Sequence, residues 1–274
     1  MRDYFFEGQK TASVECLQLY INDKFKDILE KNSLSSLEDF MSLPRENSFR
    51  DVPNRLTVGL DLVSEDKTQR VYLKRHWLEV KSKNTGPHLE AHSEAENIKK
   101  LLDGGIPVPE LVASGWGYIN QRPVGFVIMA EVPGLQGDHF IEAQIENGNW
   151  PKICEQMIDD LASLTKKFHD LGFNHRDLYL CHFFADLNDK DLFLNMIDLQ
   201  RVQYRKIFRK RWLVKDLSQL CYSSMKLVNN SSRMKFFLKY LGLKKLNAES
   251  KKLLRQILKK NERLMRRGEQ GKDR

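Results

Sequence analysis

Between Gly172 and Arg201 the chain reads GFNHRDLYLCHFFADLNDKDLFLNMIDLQR, and no other stretch restricts the fold as tightly. It follows an amphipathic helix and opens with His175, Arg176 and Asp177. Two apolar runs, HFFADL and LFLNMID, then flank the polar turn Asn188 to Lys190. Strand-length apolar runs on either side of a short polar turn read as an antiparallel hairpin. Symmetric pairing sets 183 opposite 197 and 182 opposite 198. His182 and Asp198 then emerge side by side at the hairpin end nearest Asp177.

That arrangement suits phosphoryl transfer, in which catalysis is mainly positioning and charge compensation by Mg²⁺. One carboxylate orients the acceptor hydroxyl and takes its proton; a second holds the metal on the phosphates. Asp177 fits the first role and Asp198 the second. An HRD tripeptide alone says little. HRD, a ligand-type residue five positions beyond the Asp, a hairpin and an apolar-apolar-Asp together correspond to a kinase catalytic loop and its metal-binding aspartate.

The upstream chain supplies the partners this reading requires. Asn54 to Trp77 alternates apolar and polar residues on both sides of SEDKT, which predicts a hairpin ending in VYLKRHW. A helix over 89–102 stops at Gly104 and Gly105, and IPVPELVASGWG and RPVGFVIMAEVPG supply further strands. Lys74 sits on the strand face opposite Val71 and Leu73. At 100° per residue Glu94 falls within about 40° of Ile98 and about 20° of Leu101, whereas Glu96 points away. A glutamate on an apolar face needs a partner, so Glu94 is the residue expected to reach Lys74. A solvated lysine and a capping glutamate are the plain alternatives. Gly59 is the only glycine in this hairpin, and no GxGxxG or GxxxxGK[ST] occurs.

Beyond Pro133 the pattern is helical: 153–171, 215–228, 233–241 and 248–267. The expected organisation is a helical extension over residues 1–45, a β-rich lobe over 46–131 and a helical lobe over 132–274. The extension rests on Val14, Leu17, Ile21, Phe25, Ile28 and Leu29 at helical spacing.

In NHRDLYLCHF, MIDLQRVQ and RWLVKDLSQLCYSS, beside YLKRHW and the Glu94 region, the sequence resembles the lipopolysaccharide core kinases, which phosphorylate heptose or Kdo sugars of the inner core. The resemblance covers roughly residues 54–225. It implies an α+β, protein-kinase-like fold of two lobes, and use of ATP and Mg²⁺. By position it implies that Lys74 and Glu94 are the phosphate-binding ion pair, Asp177 the base and Asp198 a Mg²⁺ ligand. Glu131 and Val132 would be the hinge that meets adenine through backbone groups, and Asp216 the buried aspartate that braces the catalytic loop. His182 stands where protein kinases carry Asn, and both direct ligation and a supporting role are open to it. Cys181 and His175 read as packing or loop-bracing residues.

Asp198 and Asp216 are 18 positions apart and no APE follows, leaving little room for a peptide-docking activation segment. A small or lipid-linked acceptor is therefore expected, and the resemblance implies that it is a lipopolysaccharide core sugar. A kinase for another acceptor, or a pseudokinase binding module, is the competing reading.

Charge adds a second expectation. From Tyr204 to Arg274 there are 22 Lys/Arg against 5 Asp/Glu, a net +17, while the preceding residues carry −9. Residues 249–267 place Leu253, Leu254, Ile257, Leu258, Leu264 and Met265 on one face amid eight basic residues, as for a helix lying on the anionic inner leaflet. A solvated face is the plain reading, and no motif with interleaved aromatics favours nucleic acid. No apolar run approaches the roughly 18 residues of a membrane span, and Cys16, Cys154, Cys181 and Cys221 have no metal or disulfide spacing. The expected location is the cytoplasm, peripheral on the inner membrane.

Overall fold

The computed structural model describes residues 13–44, 48–52, 54–65, 67–78, 90–189, 191–207 and 209–272, with side chains as far as Arg266. Leu89 of the expected helix and Lys190 of the expected turn lie outside these residues, as does the Arg267 side chain. The chain forms two compact units, residues 1–100 with 109–131, and residues 101–108 with 132–274.

The first unit contains β1 (Val14–Ile21), α1 (Lys26–Lys31), α2 (Leu37–Ser42), β2 (Ser48–Val52), β3 (Arg55–Val63), β4 (Thr68–Trp77), most of α3 (Glu90–Asp103), β5 (Leu111–Ile119) and β6 (Arg122–Ala130). Its six strands run in the order β1-β5-β6-β4-β3-β2, every neighbouring pair antiparallel. β3 and β4 pair from Arg55↔His76 to Val63↔Thr68, the hairpin expected around SEDKT. Alternation buries Val71, Leu73 and Arg75 and leaves Lys74 half-buried on the other face.

The expected helical extension is corrected in its first half, because Val14–Ile21 is a strand paired with β5. A bulge between Cys16 and Gln18 shifts the alternation by one residue. Val14 and Ile21 consequently both pack on the core, at a spacing that imitates a helical period. The second half is helical, with Ser36 and Asp39 forming a capping box at the start of α2. Phe25, Leu29, Leu37, Phe40 and Met41 are buried with Leu73 and Phe126 in one core, so this segment is an integral part of the first unit.

The second unit contains β7 (Leu135–Gln136), α4 (Gly137–Glu146), α5 (Trp150–Asp170), β8 (Phe173–Asn174), β9 (Phe183–Asn188), β10 (Asp191–Met196), β11 (Gln203–Tyr204), α6 (Arg209–Ser224), α7 (Asn230–Leu241) and α8 (Ala248–Lys272). Ala162, Leu217, Phe237, Tyr240 and Ile257 form the core shared by α5 to α8. A short sheet runs in the order β10-β9-β7, and β8 pairs with β11. Gly134, at φ +93°, sits so close to β9 that a Cβ would lie 2.2 Å from the Ala185 carbonyl oxygen, which excludes any side chain there.

The β9–β10 register is Phe183↔Met196 through Asn188↔Asp191, one residue off the expected pairing. The loop contains two residues and not three, and Asp189 at φ +55° supplies the left-handed conformation that so tight a turn demands. Asp198 therefore lies beyond the paired strands.

Candidate active site

In the first unit β4 presents Lys74 and α3 presents Glu94. Lys74 Nζ donates to Glu94 Oε1 at 2.7 Å, and the glutamate side chain is 0 % exposed. At this depth an ion pair acts in a medium far less polarisable than water, so it fixes the ammonium in place. Glu96 instead faces Lys99 at 3.7 Å near the surface. Glu131 is the last residue of this unit, its N–H bonded to the Arg70 carbonyl at 3.1 Å and its carboxylate accepting from Tyr72 Oη at 2.9 Å. Val132 opens the second unit.

In the second unit the loop 174–182 is held by one face of α6. Asp216, buried completely, accepts from the backbone N–H of His175 and of Arg176, both at 2.8 Å. One turn on, Gln219 Oε1 accepts from the Leu178 N–H at 3.3 Å while its Nε2 donates to Asp177 Oδ1 at 3.1 Å. A further turn on, Ser223 Oγ accepts from the Leu180 N–H at 2.9 Å. Lys215 donates to the Arg176 carbonyl. The i, i+3, i+7 spacing of Asp216, Gln219 and Ser223 places all three anchors on one stripe of the helix. Behind Asp216, His169 bridges to Tyr240: Nε2 is 3.3 Å from Asp216 Oδ2 and Nδ1 is 2.9 Å from the tyrosine hydroxyl.

Asp177 is thus fixed at one oxygen, while its Oδ2 lies 3.6 Å from Arg201 Nη1. His182 Nδ1 donates to the Asp177 carbonyl at 2.6 Å, which in the neutral ring leaves the lone pair on Nε2. That nitrogen lies 3.5 Å from Asp198 Oδ2. The pairing expected from sequence is thus reached by another route. Asp198 adopts a left-handed backbone, φ +58°, and turns back toward His182 from beyond the hairpin end. Arg176 is left-handed too, at φ +68°. Such conformations cost side-chain-bearing residues roughly 1–3 kcal/mol and gather where a site must be held in one shape.

His175 stacks on His182, ring centroids 5.6 Å apart, and donates from Nε2 to the Ile197 carbonyl. Burial, and next the neighbouring His182, hold its pKa below the usual histidine range, so it braces the loop as a neutral ring. The Cys181 thiol is pushed up to about 11, chiefly by burial and then by Asp138, which makes it a packing group and not a nucleophile. Gln219, Ser223, Lys215 and Arg201 are site residues beyond those expected from sequence. The first two carried a signal in the polar residues spaced at helical period through DLSQLCYS.

A β-rich unit with a buried lysine–glutamate pair, and a helical unit with an HRD loop braced from below by an aspartate, define a protein-kinase-like phosphotransferase. The fold is similar to that of a solved structure titled WaaP in complex with acyl carrier protein, with a TM-score of 0.71 and 24 % identity, covering 90 % of this chain and 99 % of that one. The family model for the lipopolysaccharide kinase (Kdo/WaaP) family matches residues 51–240. This chain belongs to that family. It is 26 % identical over 231 residues to the lipopolysaccharide core heptose(I) kinase WaaP of Pseudomonas aeruginosa, covering 80 % of this chain and 86 % of that protein. It is 29 % identical over 190 residues to the protein of the same name from Escherichia coli K12, covering 66 % and 72 %. Its activity is ATP-dependent phosphoryl transfer to a sugar hydroxyl in building the lipopolysaccharide core.

Proposed function

We propose that the acceptor is a heptose hydroxyl of the inner core and that Asp177 is the base. The observation that carries the second part is the asymmetric hold on its carboxylate, with Oδ1 tied to Gln219 and Oδ2 beside the exposed Arg201. Asp177 Oδ2 orients the hydroxyl and takes its proton as the new O–P bond forms and the bond between the γ-phosphorus and the ADP oxygen breaks. Lys74, kept in place by Glu94, binds nucleotide phosphate oxygens. The Glu131 N–H is committed to Arg70, which leaves its carbonyl and the Val132 backbone to meet adenine. The acceptor assignment is supported by the two relatives above, both named heptose(I) kinases. Mass spectrometry of core oligosaccharide from cells with and without the gene tests it: one phosphate ester on the heptose should disappear, and an unchanged core would refute it.

The donor set fits Mg²⁺. Among the described residues no group of three or more His, Cys, Asp or Glu gathers as a cage. Mg²⁺ ordinarily takes one or two carboxylates and fills its remaining positions with phosphate oxygens and water. Asp198 would hold it, with His182 Nε2 either as a second donor or as the group that orients Asp198. The bound ion supplies compensation for negative charge on the phosphates.

Two partner proposals rest on separate observations. In the second unit, Met157, Ile158, Leu161, Leu220, Phe237 and Ile257 line an almost wholly apolar cavity of about 460 Å³. Beside the solved relative's title, this supports docking of a long-chain acyl group on a carrier protein. Acylated carrier protein should raise the melting temperature and the unacylated form should not; equal effects would refute it. On α8, Lys251, Lys252, Arg255, Lys259, Arg263 and Arg266 are exposed while Ile257 is buried, so cations face away from the packed side. Leu258, expected on the packed face, is 44 % exposed. No helix of the described residues is long and apolar enough to cross a membrane. These features support peripheral attachment to an anionic leaflet on the cytoplasmic side.

A further inference from the structure

Residues 201–215 contain seven Lys/Arg and no Asp/Glu. Three guanidinium groups converge on one ring there: Arg176 and Arg205 stand 4.9 Å from the Trp212 centroid and Arg211 stands 5.4 Å from it. Arg176 comes from the catalytic loop, immediately before Asp177, and Arg205 from the end of β11. Arg211 and Trp212 belong to the first turns of α6, where helices favour acidic residues and this one has none. Lys215 adds a further cation on the same side, bonded to the Arg176 carbonyl.

Like charges brought this close repel one another, and stacking on a tryptophan offsets only part of that cost. Among the described residues none of Arg176, Arg205, Arg211 and Lys215 has an ion-pair partner. The Nε atoms of Arg176 and Arg205 are shielded from solvent and have no hydrogen-bond acceptor among those residues. Desolvated donors without acceptors are costly unless a ligand supplies the acceptors. Arg201 belongs to the same set, because in the free protein its guanidinium lies against Asp177 Oδ2, where the acceptor hydroxyl must come.

Given the acceptor reading above, we propose that the arginines around Trp212, with Arg201 and Lys215, are the anion-recognition site of the acceptor, taking a phosphate ester borne by a sugar neighbouring the one phosphorylated. Arginine suits the task because its planar fork binds such groups bidentately while its face stays on the ring. An arriving anion also draws Arg201 away from Asp177, so the base is released when an acceptor with the right charge is seated. Specificity and activation of the base then share one event.

The test compares wild type with Arg205→Gln/Arg211→Gln, neither of which touches Asp177, on phosphorylated lipopolysaccharide core and on the same material stripped of its phosphate esters. On the phosphorylated acceptor KM should rise about tenfold or more, with KM for ATP within about twofold. On the stripped acceptor the two proteins should converge. A raised KM for ATP, or equal losses on both acceptors, overturns the proposal. Should the double variant fold poorly, Arg211→Gln alone removes an exposed side chain and should still raise acceptor KM about threefold; an unchanged KM overturns the proposal. If wild type phosphorylates neither material, the acceptor reading fails by itself. A titration with inorganic phosphate, followed by the tryptophan signal that Trp212→Phe removes, then decides the anion site. Saturation in wild type that the double variant loses supports it, and no signal overturns it.

Discussion

Asp216→Ala measures how firmly α6 holds the catalytic loop. The carboxylate is fully buried and accepts two backbone N–H groups at 2.8 Å, one from each oxygen. Hydrogen bonds to a charged group contribute about 1.5–3 kcal/mol each, so the pair gives about 3–6 kcal/mol of anchoring. Lys215, Gln219 and Ser223 keep their own bonds to neighbouring loop residues, so the observable loss should fall at the lower end, about 3 kcal/mol. At 1.4 kcal/mol per factor of ten, hydrogen-exchange protection of the His175 and Arg176 amides should drop by about 10². Arg176 is then free to leave its left-handed conformation, and Asp177 beside it loses its aim. Turnover should fall by at least a comparable factor while ATP affinity changes little, because no nucleotide contact is assigned to this loop segment. Exchange rates at 175 and 176 unchanged from wild type would refute the anchoring argument. Lost protection with normal turnover would refute its link to Asp177.

Further outcomes are expected elsewhere in the molecule. Asp177→Asn should lower kcat about 10²-fold or more with the fold intact, and Asp198→Asn should raise the Mg²⁺ concentration needed for half-maximal activity; normal values in either reassign that carboxylate. Lys74→Ala and Glu94→Ala should each depress activity, with the double variant less impaired than the sum because the two act as one unit, whereas Glu96→Ala should be near wild type. At pH 8, Cys181 should alkylate about 10²-fold more slowly than an ordinary exposed thiol, since its pKa is pushed up to about 11 from 9.0 and the thiolate is the reactive form; comparable labelling of Cys16 and Cys181 would contradict this. Changing Lys251, Lys252, Lys259 and Lys260 to Gln should release the protein from anionic vesicles at lower salt without altering ATP binding, and unchanged salt sensitivity would leave α8 a solvated helix.

Which parts of this architecture could be read in advance follows from how local the physical cause is. Lys74 and Glu94 were legible because each obeys the period of its own element, two for the strand and 3.6 for the helix. The β9–β10 hairpin was legible as a hairpin, but its register depends on whether Asp189 accepts a positive φ, and so the expected pairing was one residue out. β1 was misread because a bulge turned a strand pattern into a helical one. Gln219 and Arg201 were missed for another reason. They act on Asp177 from 42 and 24 residues away along the chain, and although Gln219 stands at helical period with Asp216, that period does not say which loop residue it meets.

β1 also bears on how the protein is made and on how it can be cut. The strand leaves the ribosome well before its partner β5, which lies about a hundred residues downstream, as the bond from the Ser13 N–H to Asn120 Oδ1 shows. β1 must therefore wait, without β5 and carrying Leu17 and Leu19, until most of the first unit has been synthesised. The family match begins at residue 51, which invites trimming there. Such a cut would remove Phe25, Leu29, Phe40 and Met41 from the interior and bare the hydrogen-bonding edge of β5 as a template for aggregation.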